Sequence, residues 1–128
     1  MHLLLDTHTF LWFVFGSPQL SPRAASLIQD PANQTFLSIA SPWEVGIKVS
    51  SGKLTVSQPV DQFFAEEMQI NAVQMLPISL PHIARVSTLP LHHRDPFDRM
   101  LVAQSLTENI PLVSADAALD AYGVNRLW

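Results

Sequence analysis

Leu3-Leu4-Leu5-Asp6-Thr7-His8 is the stretch on which the reading of the fold turns. Three consecutive apolar residues suit a short strand that is buried on both faces. A carboxylate closes the run at Asp6, and the apolar-rich stretch from Thr7 to Phe15 reads as a helix that Gly16-Ser17-Pro18 stops. A doubly buried strand running straight into a helix is how a parallel α/β sheet is built.

The alternation continues outward from this start. Ser21-Pro22 reads as N-cap and first position of a helix to about Asp30. Thr35-Phe36-Leu37-Ser38-Ile39 is a second strand. Ser41-Pro42 opens another helix, with Ser41 as its N-cap, and Ser51-Gly52 closes it. Val60 to about Asn71 is an amphipathic helix whose apolar side takes Phe63, Phe64 and Met68, with Ile70 beside them. Val73 to Ile78 is a third strand, and Leu80 to Leu89 a helix with Pro81 in its first turn. Asp95-Pro96 opens a long helix to about Glu108. Pro111-Leu112-Val113-Ser114 is a fourth strand, a short helix runs from about Asp116 to near Gly123, and Val124 to Trp128 adds a fifth strand. The expected fold is α/β: a mostly parallel sheet of four to five strands covered on both faces, in one domain spanning residues 1–128.

Bulk composition narrows the function. Of the 128 residues 48% are apolar, ample for one core, and no cysteine is present. Disulfides, thiolate metal sites and cysteine nucleophiles are excluded, and a reducing, cytoplasmic setting is compatible. The run from Leu3 to Phe15 has no basic n-region, carries Asp6 and His8, and is too short to span a bilayer, so it reads as neither signal peptide nor membrane anchor. The formal net charge of −4 sits awkwardly with nucleic-acid binding, unless the acids are gathered where they hold divalent cations.

The placement of the acids bears on that point. Asp6 follows the first strand, Glu44 lies in the first turn after the second, and Asp116 follows the fourth. In an open parallel sheet the carboxyl ends of the strands share one edge, where ligands bind. Asp98 joins them if the long helix starts on that edge. Crowded carboxylates repel and take up protons, a conflict that magnesium or manganese, both preferring oxygen ligands, removes. Each acid also has a plain structural reading. Ser41-Pro42-Trp43-Glu44 fits a capping box, Asp95 an N-cap, Asp98 a helix-dipole partner and Asp116 a cap of the last helix.

Four segments together resemble the PIN domains, particularly the VapC-like toxins of bacterial toxin–antitoxin pairs. They are Leu3-Leu4-Leu5-Asp6-Thr7-His8, Ser41-Pro42-Trp43-Glu44-Val45-Gly46-Ile47-Lys48, His92-His93-Arg94-Asp95-Pro96-Phe97-Asp98-Arg99-Met100-Leu101-Val102-Ala103-Gln104, and Leu112-Val113-Ser114-Ala115-Asp116. The resemblance covers nearly the whole chain in order. It implies a PIN-like three-layer α/β/α fold and a Mg2+ or Mn2+ site on Asp6, Glu44, Asp98 and Asp116. It also implies endoribonuclease activity on RNA, a homodimer and a small antitoxin partner. Thr7 and Ser114 match positions beside the family's acids.

Other residues carry weaker signals. Lys48 is either an i, i+4 partner of Glu44 or a phosphate contact, and Arg99, with Arg94, Lys53 and Arg85, is a candidate for backbone phosphate. His92-His93, being adjacent, do not form a helical metal pair and read as surface residues or phosphate contacts. Trp12, Trp43 and the Phe residues read as core or dimer interface rather than base-stacking platforms. Competing functions are a metal-dependent nuclease or phosphatase acting on another phosphoester, and a non-catalytic binding module whose acids are only caps.

Overall fold

The structure is a computed structural model and describes residues 1–128. Its elements, in chain order, are β1 (His2–Leu5), α1 (Thr7–Phe15), α2 (Pro22–Gln29), β2 (Gln34–Ser38), α3 (Ala40–Ser50), α4 (Val60–Ile70), β3 (Val73–Leu76), α5 (Leu80–Thr88), α6 (Pro96–Glu108), β4 (Leu112–Val113), a 3₁₀ helix (Ala117–Tyr122) and β5 (Arg126–Leu127). The five strands form one sheet in the order β3-β2-β1-β4-β5, and every pairing is parallel.

β1 lies at the centre, and its three leucines explain the layering. Successive side chains on a strand point to opposite faces. Leu3 and Leu5 enter one core with Phe10, Phe63, Phe64 and Met68, whereas Leu4 enters the other with Leu101, Val102, Leu112 and Leu119. All three leucines are fully buried. At roughly 1.5–3 kcal/mol each, they contribute on the scale of a domain's whole net stability, about 5–15 kcal/mol. No helix is long and apolar enough to cross a membrane.

Three local expectations are corrected. Ser41 is not an N-cap: α3 starts one residue earlier, at Ala40, with Ile39 at the cap and no side-chain capping bond. Pro42 is tolerated because the first-turn N–H it lacks has no intrahelical partner. The Ser41 hydroxyl instead meets Thr7 Oγ1 at 2.8 Å. Ile70 does not join the apolar side of α4 and is 73% exposed. The third strand stops at Leu76, before Pro77.

The α4–β3 connection turns on Ala72, which holds φ +54° in the left-handed region. That conformation costs an L-residue about 1–2 kcal/mol, and a glycine there loses about 0.5–1 kcal/mol of unfolded-state entropy in exchange. Ala72→Gly is therefore expected to stabilise the chain slightly. An upward shift of the urea midpoint checks this, and a downward shift would show that the turn is not strained.

Candidate active site

Sheet order places the site. β2 lies on one side of β1 and β4 on the other, so the connections leaving β1 and β4 diverge and open a crevice at the carboxyl edge. A cleft of about 350 Å³ lies there, bounded by Asp6, Glu44, Asp95, Asp98 and Asp116 together with Thr7, His8, Trp12, Lys48 and Ala115. Asp6, Glu44, Asp98 and Asp116, separated widely in sequence, thus share one cavity. α6 does begin on this edge.

Each acid is held by its own element. Asp6 ends β1 and caps α1, its Oδ1 accepting from Thr9 N at 2.7 Å. Asp116 follows β4 and caps the 3₁₀ helix, its Oδ1 accepting from Ala118 N at 3.1 Å. Neither cap excludes a second role. Each bond fixes the carboxylate through one oxygen and leaves the other to a different partner. Asp95 caps α6 with one oxygen, which accepts from Phe97 N at 2.8 Å and Asp98 N at 3.1 Å. Glu44, on α3, is buried, and its Oε2 lies 3.1 Å from Lys48 Nζ.

Asp98 bears the greatest electrostatic load. Its carboxyl is pushed from 3.8 up to about 7 by burial and then by Asp95, with Glu44 and Asp6 adding to the effect and His93 opposing it. Lys48 is the one lysine or arginine among the residues that bound the cleft, against five carboxylates. A cation is what such a donor set lacks. The oxygens fit a hard divalent ion, whose charge would offset both the burial and the neighbouring carboxylates that raise Asp98.

His93 belongs to this arrangement, although its neighbour His92 had drawn it toward a surface reading. Its Nε2 lies 3.3 Å from Asp116 Oδ2 and 3.5 Å from Asp98 Oδ2. The three residues lie close enough to offer ligand atoms to one ion, His93 only by giving up the proton on Nε2. His93 Nδ1 accepts the Asp95 N–H at 3.2 Å, which leaves the ring proton on Nε2 facing the two carboxylates. The available signal was His93's position beside the α6 N-cap, since a residue that close to Asp95 must lie at the same edge.

The supporting residues divide. Thr7 and Lys48 border the cleft. Ser114 is fully buried, and its Oγ accepts from Asp116 N at 3.1 Å, so it positions that acid from behind. Arg99 is elsewhere. Its guanidinium donates to the carbonyls of Pro90, Val86 and Leu89 and to Tyr122 Oη, tying down the segment that leads to His93. A guanidinium engaged this fully is not free to meet phosphate, and Arg99 acts as a brace for the loop.

Known structures share this architecture. The chain is similar to VapBC2 from Rickettsia felis, in a structure bound to a promoter DNA fragment, with TM-score 0.70 and 14% identity over 99% of this chain and 98% of the other. It is similar to VapBC-1 from nontypeable Haemophilus influenzae, with TM-score 0.65 and 15% identity over 99% and 97%. FitAcB from Neisseria gonorrhoeae gives 0.66 and 16% over 98% and 96%. A search of curated protein sequences returns no match. PIN domains are generally nucleases and typically use a divalent metal. Their family profile matches residues 3–125, the span that carries all four acids, and the chain belongs to the PIN-domain family.

Proposed function

We propose that this chain is a divalent-metal-dependent endoribonuclease and the toxin of a toxin–antitoxin pair, working in the cytoplasm. The observation that carries the reading is the convergence of Asp6, Glu44, Asp98 and Asp116 on one cleft that a single lysine cannot neutralise. Asp6, Asp98 and Asp116, with Glu44, would hold Mg2+ or Mn2+. When bound, the ion supplies a polarised water and neutralises charge on the phosphate. The chain's own contribution is alignment. Main-chain N–H groups lock Asp6 and Asp116, Ser114 holds the peptide of Asp116, and His93 keeps Asp98 and Asp116 together.

Two partner surfaces accompany the reading. A homodimer is supported by the exposed apolar side chains of Trp43 and Ile47 on α3 and Ile83 on α5 and by the apolar groove that Trp43 shares with Val86, Phe97 and Met100. An antitoxin is supported by a groove lined by Phe13, Ile28 and the exposed Ile70, where apolar anchors of a partner segment would dock. The groove opens at the amino ends of β2 and β3, so the partner segment would run along α1 to the opposite edge before a basic side chain meets the acids and takes the cation's place.

Manganese-dependent cleavage by the isolated chain tests the activity, with RNA, single-stranded DNA and a phosphomonoester compared side by side. RNA alone should be cut, and cutting should stop with chelator and in Asp6→Asn, which keeps the Thr9 cap. Turnover of the phosphomonoester or of DNA in preference to RNA would replace this reading. A co-purified antitoxin gives a second check: cutting back the segment that carries its basic side chain should leave binding intact and weaken inhibition.

A further inference from the structure

The cleft has an aromatic side that the chemistry of the acids does not use. His8 and Trp12 lie one turn apart on α1 and both border the cavity. Their rings stack with centroids 5.6 Å apart and planes 26° apart. Trp12 in turn meets Trp128 edge-on at 5.9 Å. Trp128 packs against the larger core, so the column is anchored from behind, while His8 is exposed at its open end. Elsewhere on the same helix Phe10 and Leu11 are buried in the ordinary way. The two rings turned toward the acids are therefore not core residues.

We propose that His8, backed by Trp12, is a nucleobase-stacking subsite that takes an unpaired base next to the phosphate being cut. The proposal rests on the ribonuclease reading above and names how that site selects its substrate. Within one nucleotide of a scissile phosphate, the group with a flat apolar face is the base. Duplex bases are already stacked and withhold that face, whereas loops and ends offer it. A pre-stacked imidazole–indole pair gives such a base a rigid π surface at little cost in side-chain entropy. Stacking of this kind contributes about 1–3 kcal/mol per base, which is roughly a 5- to 150-fold effect on binding. It tolerates any base and favours purines, whose larger rings cover more of the column. The subsite therefore selects single-stranded over paired RNA.

Steady-state cleavage of a short single-stranded RNA by wild type, His8→Ala, Trp12→Phe and Trp12→Leu tests this, with thermal melts to verify folding. KM should rise about 5-fold or more in His8→Ala and Trp12→Leu, with kcat little changed, as loss of uniform binding requires. Trp12→Phe should recover most of the binding. A set of RNAs with one abasic nucleotide each should contain one position, next to the cut, where the missing base weakens wild type but adds nothing in His8→Ala. Unchanged KM in folded His8→Ala, or an abasic penalty equal in wild type and variant, overturns the stacking subsite while RNA cleavage stands. That is also the outcome expected of a column that serves only to dock a protein. Failure of wild type to bind or cut any RNA overturns the ribonuclease reading, and the subsite with it.

Discussion

Asp98→Asn is expected to lower metal-dependent RNA cleavage by at least about 100-fold while leaving the fold intact. Loss of even an outer partner of a metal ligand costs about 10- to 100-fold in affinity or activity, and Asp98 faces the cavity directly. The fold should survive because Asp95, not Asp98, caps α6. The same substitution has a signature in the absence of metal. The carboxyl of Asp98 stands at about 7 in the folded chain against an ordinary 3.8. Between those values the folded state retains a proton that the unfolded state has released. Stability of the metal-free chain therefore falls as pH rises from about 4 to about 7. Melting in chelator at about pH 5 and about pH 8 should show the fall in wild type and its loss in Asp98→Asn. A divalent cation should also cancel it, since bound metal does the proton's work. An identical pH slope in Asp98→Asn would place the titrating group elsewhere.

Glu44→Gln is expected to abolish cleavage to a similar degree, by about 10- to 100-fold or more, with stability held or raised. A glutamine at the third position of a capping box bonds as well as glutamate, but α3 forms no such box. Glu44 is a buried carboxylate whose visible partner is Lys48. An i, i+4 pair of this kind stabilises by about 0.3–0.5 kcal/mol, too little to offset burying the charge. If the pair with Lys48 were its whole purpose, Glu44→Gln would cut RNA normally. Single-turnover rates across a manganese titration separate the two outcomes: loss of a metal ligand raises the manganese needed or lowers the plateau rate, whereas loss of the Lys48 pair alone changes neither.

The sheet was legible because its signals are local. Three leucines at β1, and apolar runs bounded by Pro, Gly and Ser, mark elements wherever they occur, and helices alternating with strands force a parallel sheet. Helix ends were less legible. Ser41-Pro42 looks like a start, but Ser41 is drawn to Thr7, a partner on another element that sequence spacing cannot reveal. The four acids were legible as a set because the parallel topology carries strand ends to one edge. Whether each was a cap or a ligand was not, and for Asp6 and Asp116 the two roles do not exclude one another, since the cap uses only one oxygen. His93 and Arg99 show the limit from both sides. A histidine on a loop reaches the acids through a bend of the chain, and an arginine beside Asp98 points away because carbonyls of that same loop claim it.

The order in which the acids occur along the chain has a consequence during translation. Asp6 and Glu44 are made early, with β1 and β2, whereas Asp98 and Asp116 come with α6 and the residues after β4. At about 5–20 residues per second, the stretch from Glu44 to Asp116 takes roughly 4–14 s to synthesise. Until Asp98 is made the nascent chain holds two of the four acids of the proposed centre, and until Asp116 three. β1 meanwhile has β2 on one flank and an open edge on the other until β4 arrives. On the proposed ribonuclease reading, a ribosome making this protein meets no assembled centre until the final strands dock, and the closing of the sheet is the event that arms it.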